Sequence, residues 1–218
     1  MQHSGQTLTR PRILLADDHT MVIEGLRSLL ENKGHDVVGF VADGRALIEA
    51  AQQLKPDVVI LDISMPLLNG LDAAVQLKQL LPNVKIVFLT MKDDHNLAAA
   101  VLSLGPVGYV LKHSAASELL TAITEVLRGK SYVTPRLKPE NWAVREDRAR
   151  QYLKDLTPRQ REVLQLLAEG RPMKEVGGIL NVSEKTVMFH KYHIMRSFNL
   201  KSNADIVLLA LRQGLIFA

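Results

Sequence analysis

Five short apolar runs, spaced roughly 21–28 residues apart, restrict the N-terminal part of this chain to very few folds. They are Ile13 to Ala16, Val37 to Val41, Val58 to Leu61, Ile86 to Leu89 and Tyr109 to Leu111. Most lack the polar alternation of a strand with one wet face, so they read as strands covered on both sides. Segments with helical periodicity lie between them: Val22, Leu26, Leu29 and Leu30; Leu71, Val75 and Leu77 to Leu81; Leu119, Leu120, Ile123 and Val126. Strand and helix in alternation predict an open, doubly wound α/β unit with a five-stranded parallel sheet. In such sheets the working residues gather beyond the carboxyl ends of the strands.

The polar residues at those ends form a set. Asp17 and Asp18 follow the first run, Asp62 the third, Thr90 the fourth and Lys112 the fifth. One Asp or Thr in such a place is readily explained as a helix cap. Three carboxylates, a hydroxyl and a lysine converging on one sheet edge are better explained as a site. Crowded carboxylates repel unless a cation offsets them, and hard oxygen ligands suit Mg²⁺ or Mn²⁺. A carboxylate in that setting can act as a nucleophile towards phosphorus. The lysine and the metal would balance charge on the transferring oxygens, and the Thr90 hydroxyl would meet a phosphoryl oxygen.

Composition narrows the class. The chain has 218 residues, a comfortable length for two domains, and no cysteine, which excludes disulfides and thiolate metal sites. No apolar run approaches the length of a bilayer span. The polar first residues predict a flexible leader over 1–10, and the whole predicts a cytoplasmic protein with no membrane partner. Charge is unevenly divided: residues 1–130 carry 12 Lys/Arg against 14 Asp/Glu, and residues 131–218 carry 15 against 9. A basic C-terminal part suggests a domain that faces a polyanion.

The stretches LLADDH (14–19), LDISMPLLNG (61–70), LTMKDD (89–94) and GYVLK (108–112) closely resemble the receiver domains of response regulators, across residues 11–130. The resemblance implies a flavodoxin-like fold in which Asp62 accepts a phosphoryl group from a sensor histidine kinase. It further implies that Asp18 and Asp62 bind the metal, that Asp17 acts mainly through water, and that the Ser64 carbonyl adds a ligand. Thr90 and Tyr109 match a coupled switch pair, the ring turning inward behind the hydroxyl, with Lys112 at the phosphate. Ser64 and Lys92 match positions that tune phosphoryl lifetime. Two departures stand out. His113 follows Lys112 where many receivers have proline; a cis bond there would cost ~3 kcal/mol, so it is either trans or compensated. Leu67-Leu68 replaces the usual leading glycine of the loop after Asp62.

Residues 131–155 break the pattern with Pro135, Pro139 and dense mixed charge from Arg145 to Lys154, and predict a linker. Arg145 to Leu153 reads as a short solvated helix or as plain wet surface, and Trp142 packs on one domain or the other. Over 156–218 four helices can be bracketed. Thr157-Pro158-Arg159-Gln160 is a capping box with proline at the first helical position, followed by the stripe Val163, Leu166 and Leu167. A second helix covers about Met173 to Leu180; Ser183 caps a third from Glu184 to about Phe198; Ser202, with Asp205, opens a fourth ending near Gly214. The second and third have helix-turn-helix proportions. Val187, Ile194 and Phe198 give the third a buried stripe, leaving Lys185, Thr186, Met188, His190, Lys191, Tyr192 and Arg196 around the remainder. That mixture suits a major-groove helix.

The same stretch, LTPRQREVLQLLAEG to NVSEKTVMFHKYHIMRSFNLKSNADIV, resembles the four-helix DNA-binding domain of NarL/LuxR-type regulators. Carried over by position, the resemblance makes Lys185, Thr186, His190 and Lys191 phosphate or base contacts to promoter DNA, with Lys201 and Ser202 on the backbone. Met188 and Phe189 belong to the same face; Met188 stands where a cation is common, and Phe189 is bulky for its place, so base preference departs from the family. A DNA-bound homodimer meeting partly through the fourth helix is implied. Gly177 stands where the family has a small alanine, and Gly178 beside it has no explanation in sequence. The expected function is phosphorylation-controlled transcription, in a protein that is no enzyme beyond gaining and losing its own phosphoryl group. The competing readings are a constitutive DNA binder whose receiver only dimerises, and a metal-dependent phosphatase, for which the first domain has too few residues to build a substrate pocket.

Overall fold

A computed structural model describes residues 10–114, 116–137 and 155–216. The flexible leader lies largely, and Trp142 and the Arg145–Leu153 segment wholly, outside the described residues. The first unit alternates β1 (Arg12–Ala16), α1 (Thr20–Asn32), β2 (Asp36–Val41), α2 (Gly44–Leu54), β3 (Val58–Leu61), α3 (Gly70–Leu80), β4 (Lys85–Thr90), α4 (His95–Leu102), β5 (Val107–Leu111) and α5 (Ala116–Leu127). With a short sixth strand, β6 (Tyr132–Val133), all strand pairs are parallel, in the order β2-β1-β3-β4-β5-β6. The order reverses between β1 and β3, which opens a crevice at their carboxyl ends. The apolar runs are strands because both faces are covered. Leu47, Leu71, Leu77, Leu97 and Val101 pack one face, and Ile23, Leu30, Leu119, Ile123 and Val126 pack the other.

The sixth strand corrects the expectation of five. β6 (Tyr132–Val133) pairs with β5 and leads into a 3₁₀ turn at Pro135–Leu137. The cause is local. The Thr134 N–H donates to the Tyr109 carbonyl at 2.9 Å, Thr134 Oγ1 accepts from the Leu111 N–H at 3.2 Å, and Leu137 is buried in the core. Residues 132–137, which the sequence assigns to a linker, therefore belong to the first unit.

The second unit is all helix: α6 (Pro158–Ala168), α7 (Met173–Leu180), α8 (Glu184–Ser197) and α9 (Asn203–Arg212). Thr157 with Gln160, and Ser202 with Asp205, form reciprocal capping boxes. Asn181, in the left-handed conformation at φ 53°, ends α7 and turns the chain into α8. Gly177 is needed there, because a Cβ would lie 2.8 Å from the Val182 carbonyl oxygen; around Gly178 there is open space. Val163, Leu166, Val176, Leu180, Val187, Ile194, Ile206 and Leu209 form the core. Among the described residues no helix is long and apolar enough to cross a membrane.

Candidate functional site

The β1/β3 crevice brings Asp17, Asp18, Asp62 and Lys112 together. Asp17 and Asp62 are buried, each 3% exposed, and Asp18 stands at the rim. Lys112 Nζ donates to Asp62 Oδ2 at 2.9 Å and forms an ion pair with Asp17 Oδ2 at 2.7 Å. Burial alone would push the Lys112 ammonium down, but hydrogen bonds and charge from Asp17 and Asp62 outweigh it, so its pKa is raised and it stays cationic. No peptide among the described residues is cis, so the bond to His113 is trans, and the lysine reaches its partners without the proline.

Three carboxylates against one lysine leave the pocket short of positive charge. Asp62 Oδ1 is buried with no hydrogen-bond partner, and one ligand atom from each of Asp17, Asp18, Asp62 and His19 lies within 4.8 Å of the others. A donor set of three carboxylates gathered this closely fits a hard divalent cation. His19 was not singled out by sequence reasoning. Its Nδ1 lies 2.8 Å from Asp18 Oδ1 and 3.1 Å from Asp17 Oδ1, and its N–H also donates to Asp17. The only available signal was its place directly after the acidic pair.

Thr90 is fully buried at the end of β4, and its Oγ1 accepts from the Lys92 N–H at 3.1 Å. Tyr109 on the neighbouring strand is also fully buried, with its hydroxyl donating to the Lys92 carbonyl at 2.9 Å. Burial, then the charges of Asp94, Asp93 and Asp62, push the phenol far above its ordinary range, so it remains a neutral donor. Ser64 follows Asp62 by two residues on the β3–α3 loop and is half-buried.

The other candidate surface is α8. Val187 and Ile194 face the core, and helical spacing puts Lys185, Phe189, Tyr192, His193 and Arg196 on the opposite side. Met188, Phe189 and Tyr192 are 52%, 58% and 63% exposed. Several positions proposed from sequence are more recessed. Thr186 shares the Ser183 cap, with the two hydroxyl oxygens 2.8 Å apart; Lys191 donates to Asn203 Oδ1 at 2.8 Å; His190 is half-buried. Desolvation, then Arg159 and His193, lower the His190 pKa, so the ring is neutral at neutral pH. Lys201 and Ser202 sit exposed at the start of α9.

Two sequence profiles match: "Response regulator receiver domain" over residues 13–124, and "Bacterial regulatory proteins, luxR family" over 154–210. The chain is a response regulator of the NarL/LuxR type. Along 94% of its length this regulator is 36% identical to the oxygen regulatory protein NreC of Staphylococcus carnosus, 99% of which is covered. It is 32% identical to the transcriptional regulatory protein DegU of Brevibacillus brevis over 93% of this chain and 94% of that one. Among solved structures it resembles RcsB of Salmonella typhimurium, with a TM-score of 0.62 and 30% identity over 92% of this chain and 96% of that one. It also resembles RcsB bound to a promoter in the presence of phosphomimetic BeF3⁻, with a TM-score of 0.59 and 30% identity over 94% and 98% of the two chains. The regulator is thus a transcriptional regulator of two-component type, with a receiver and a luxR-type DNA-binding domain.

Sequence reasoning also missed the surface that joins the regulator's two domains. Arg161, Gln165 and Glu169, four residues apart along α6 and its C-cap, face the first turn of α3 and the receiver loop between Asp62 and that helix. Arg161 Nε donates to Asp72 Oδ1 at 2.7 Å. Gln165 Oε1 accepts from the Asn69 N–H at 2.9 Å, and Gln165 Nε2 donates to the Met65 carbonyl at 3.1 Å. Glu169 Oε1 accepts from the Leu67 N–H at 3.0 Å. Beside them Glu162 accepts from Gln76 at 3.0 Å and pairs with Arg45 at 3.5 Å. Leu67, at a left-handed φ of 65°, packs against the second core. The missing glycine of the loop is therefore replaced by a side chain that reaches into the other domain.

Proposed function

We propose that this regulator is switched by phosphorylation of Asp62 and that the switch controls its dimerisation and its binding to promoter DNA. A sensor histidine kinase is the donor, and the protein performs no turnover beyond gaining and losing this group. It works in the cytoplasm. The observation that carries the reading is the buried, unpartnered Asp62 Oδ1 beside Lys112. That oxygen forms the new O–P bond as the P–N bond to the kinase imidazole breaks, its electron pair returning to the ring nitrogen. Lys112 stays bonded to the acceptor's other oxygen and balances the incoming charge. Asp17, Asp18, Asp62 and the Ser64 carbonyl would hold Mg²⁺ or Mn²⁺, which supplies electrophilic charge to the transferring oxygens. Thr90, once a phosphoryl oxygen arrives, exchanges its bond from the Lys92 N–H for one to phosphate, and Tyr109, already buried behind it, holds the space closed.

On the DNA side, α8 enters the major groove, with Lys185, Thr186, Met188, Phe189, His190 and Lys191 on or beside its reading face, and Lys201 and Ser202 meet the backbone at the start of α9. The test is binding to a sequence selected from a random DNA pool. Beryllofluoride with Mg²⁺ should tighten binding by roughly 5–150-fold, the usual size of coupling between two sites. Asp62→Asn should abolish that gain. Equal affinity with and without beryllofluoride would sink the phospho-switch and leave a constitutive DNA binder.

A further inference from the structure

We propose that the recognition helix α8 reads thymine methyl groups, through an apolar ridge of Met188, Phe189 and Tyr192. The proposal rests on the DNA-binding reading and adds the base chemistry to it. These side chains are three of the four exposed large apolar residues described in the second domain, and all three lie on one helix. Large apolar groups gathered on one exposed surface mark a contact rather than a solvated face. The Phe189 ring is steadied by its neighbours: its centroid lies 4.6 Å from that of His193 and 5.7 Å from that of His190. It is therefore held in place along the helix while 58% of the residue stays open to solvent.

Charge identifies the occupant. The ridge is bracketed by Lys185 before it and Arg196 after it, both exposed, and the domain from residue 156 onward carries nine Lys/Arg against five Asp/Glu. An apolar strip between two cations on one helix matches a groove floor between two phosphate backbones. In that floor the apolar feature offered by a base is the thymine C5-methyl, and the side chains that meet it are apolar or aromatic. The usual guanine reader is an arginine or lysine that forks to O6 and N7. No lysine or arginine stands at the centre of the ridge, and the nearby Lys191 is bonded to Asn203. The helix therefore favours A·T pairs where Met188, Phe189 and Tyr192 land, and leaves Lys185 and Arg196 for phosphates.

The experiment uses full-length protein and a duplex selected from a random pool, resynthesised with deoxyuridine in place of thymine at one position at a time. Deoxyuridine pairs identically and removes only the methyl. At one or more positions in each half-site, affinity should fall about fourfold per methyl, the factor expected for one buried methyl-sized apolar group. Phe189→Ala should lose the thymine–deoxyuridine difference at the position Phe189 meets and keep it where Met188 or Tyr192 lands, whereas Phe189→Leu should keep part of it at all of them. Selective binding that ignores every deoxyuridine substitution overturns the proposal and spares the DNA-binding reading. So does an unchanged consensus for Phe189→Ala, which would assign the ridge to a protein partner. If folded wild-type protein selects no sequence at all, the DNA-binding reading itself falls.

Discussion

The Asp72–Arg161 pair makes the sharpest test of how the two domains are joined. Its side chains are 10% and 3% exposed and meet at 2.7 Å across the interface. Removing one partner of a buried pair costs ~3–5 kcal/mol when the other charge stays buried. Here the stranded charge has an escape, because separation of the domains returns it to water. Arg161→Met, which leaves the Asp72 carboxylate without its cation, should therefore open the interface rather than unfold either domain, and a loss of ~3 kcal/mol lowers the docking constant by roughly 100-fold. Neutralising Asp72 as well removes the stranded carboxylate, so the Arg161→Met/Asp72→Asn double variant should dock better than Arg161→Met alone. Small-angle scattering reports the opening as a larger radius of gyration, and amide exchange at Leu67 and Asn69 reports loss of their bonds to Glu169 and Gln165. If Arg161→Met keeps the wild-type radius and slow exchange at these two amides, the pair does not hold the domains and the reasoning fails.

Other outcomes follow from the same structure. Gly178 sits inside α7 with open space around it, so Gly178→Ala should stabilise the second domain by up to ~1 kcal/mol in denaturant melts. Gly177→Ala should destabilise it, since the new Cβ would press on the Val182 carbonyl at 2.8 Å. Lys112→Met leaves Asp17 and Asp62 without their shared cation; tighter Mg²⁺ binding by titration, together with a lost response to beryllofluoride, is the expected pair of results. The His190 imidazole should titrate below the ordinary histidine range by NMR. Because its folded pKa lies below the unfolded one, the stability it contributes is present above the unfolded value and is lost as pH falls through that window.

Much of the receiver is legible because its strands are buried on both faces and so carry unbroken apolar runs, each ending on a residue with one chemical purpose. Asp17, Asp62, Thr90 and Lys112 fall at strand ends in sequence and in space for that reason. β6 was hidden because two residues, Tyr132 and Val133, followed by Thr134 and Pro135 carry no period, and their pairing comes from the β5 edge they lie on. Arg161, Gln165 and Glu169 were hidden for the opposite reason. On a helix, polar residues four apart look like a solvated face, and only the presence of the receiver turns them inward. The signal that was available is weak: α6 has apolar residues at Val163, Leu164 and Leu166, with no clear run of exposed charge opposite them.

The loop from Asp62 to Asn69 ties these two readings together. At its end, a Cβ on Gly70 would lie 2.1 Å from the Asp62 carbonyl oxygen, so the loop closes directly on Asp62 with no slack between them. In its middle, Met65, Leu67 and Asn69 spend backbone hydrogen bonds on Gln165 and Glu169 of the other domain. Leu67 holds a left-handed backbone that costs a β-carbon-bearing residue roughly 1–2 kcal/mol, and its packing against the second core offsets that cost. A close-packed loop cannot absorb a displacement by bending. Any movement at Asp62 must therefore either be resisted by α6 or be passed to it, and these bonds make the orientation of the DNA-binding domain part of the surroundings of Asp62.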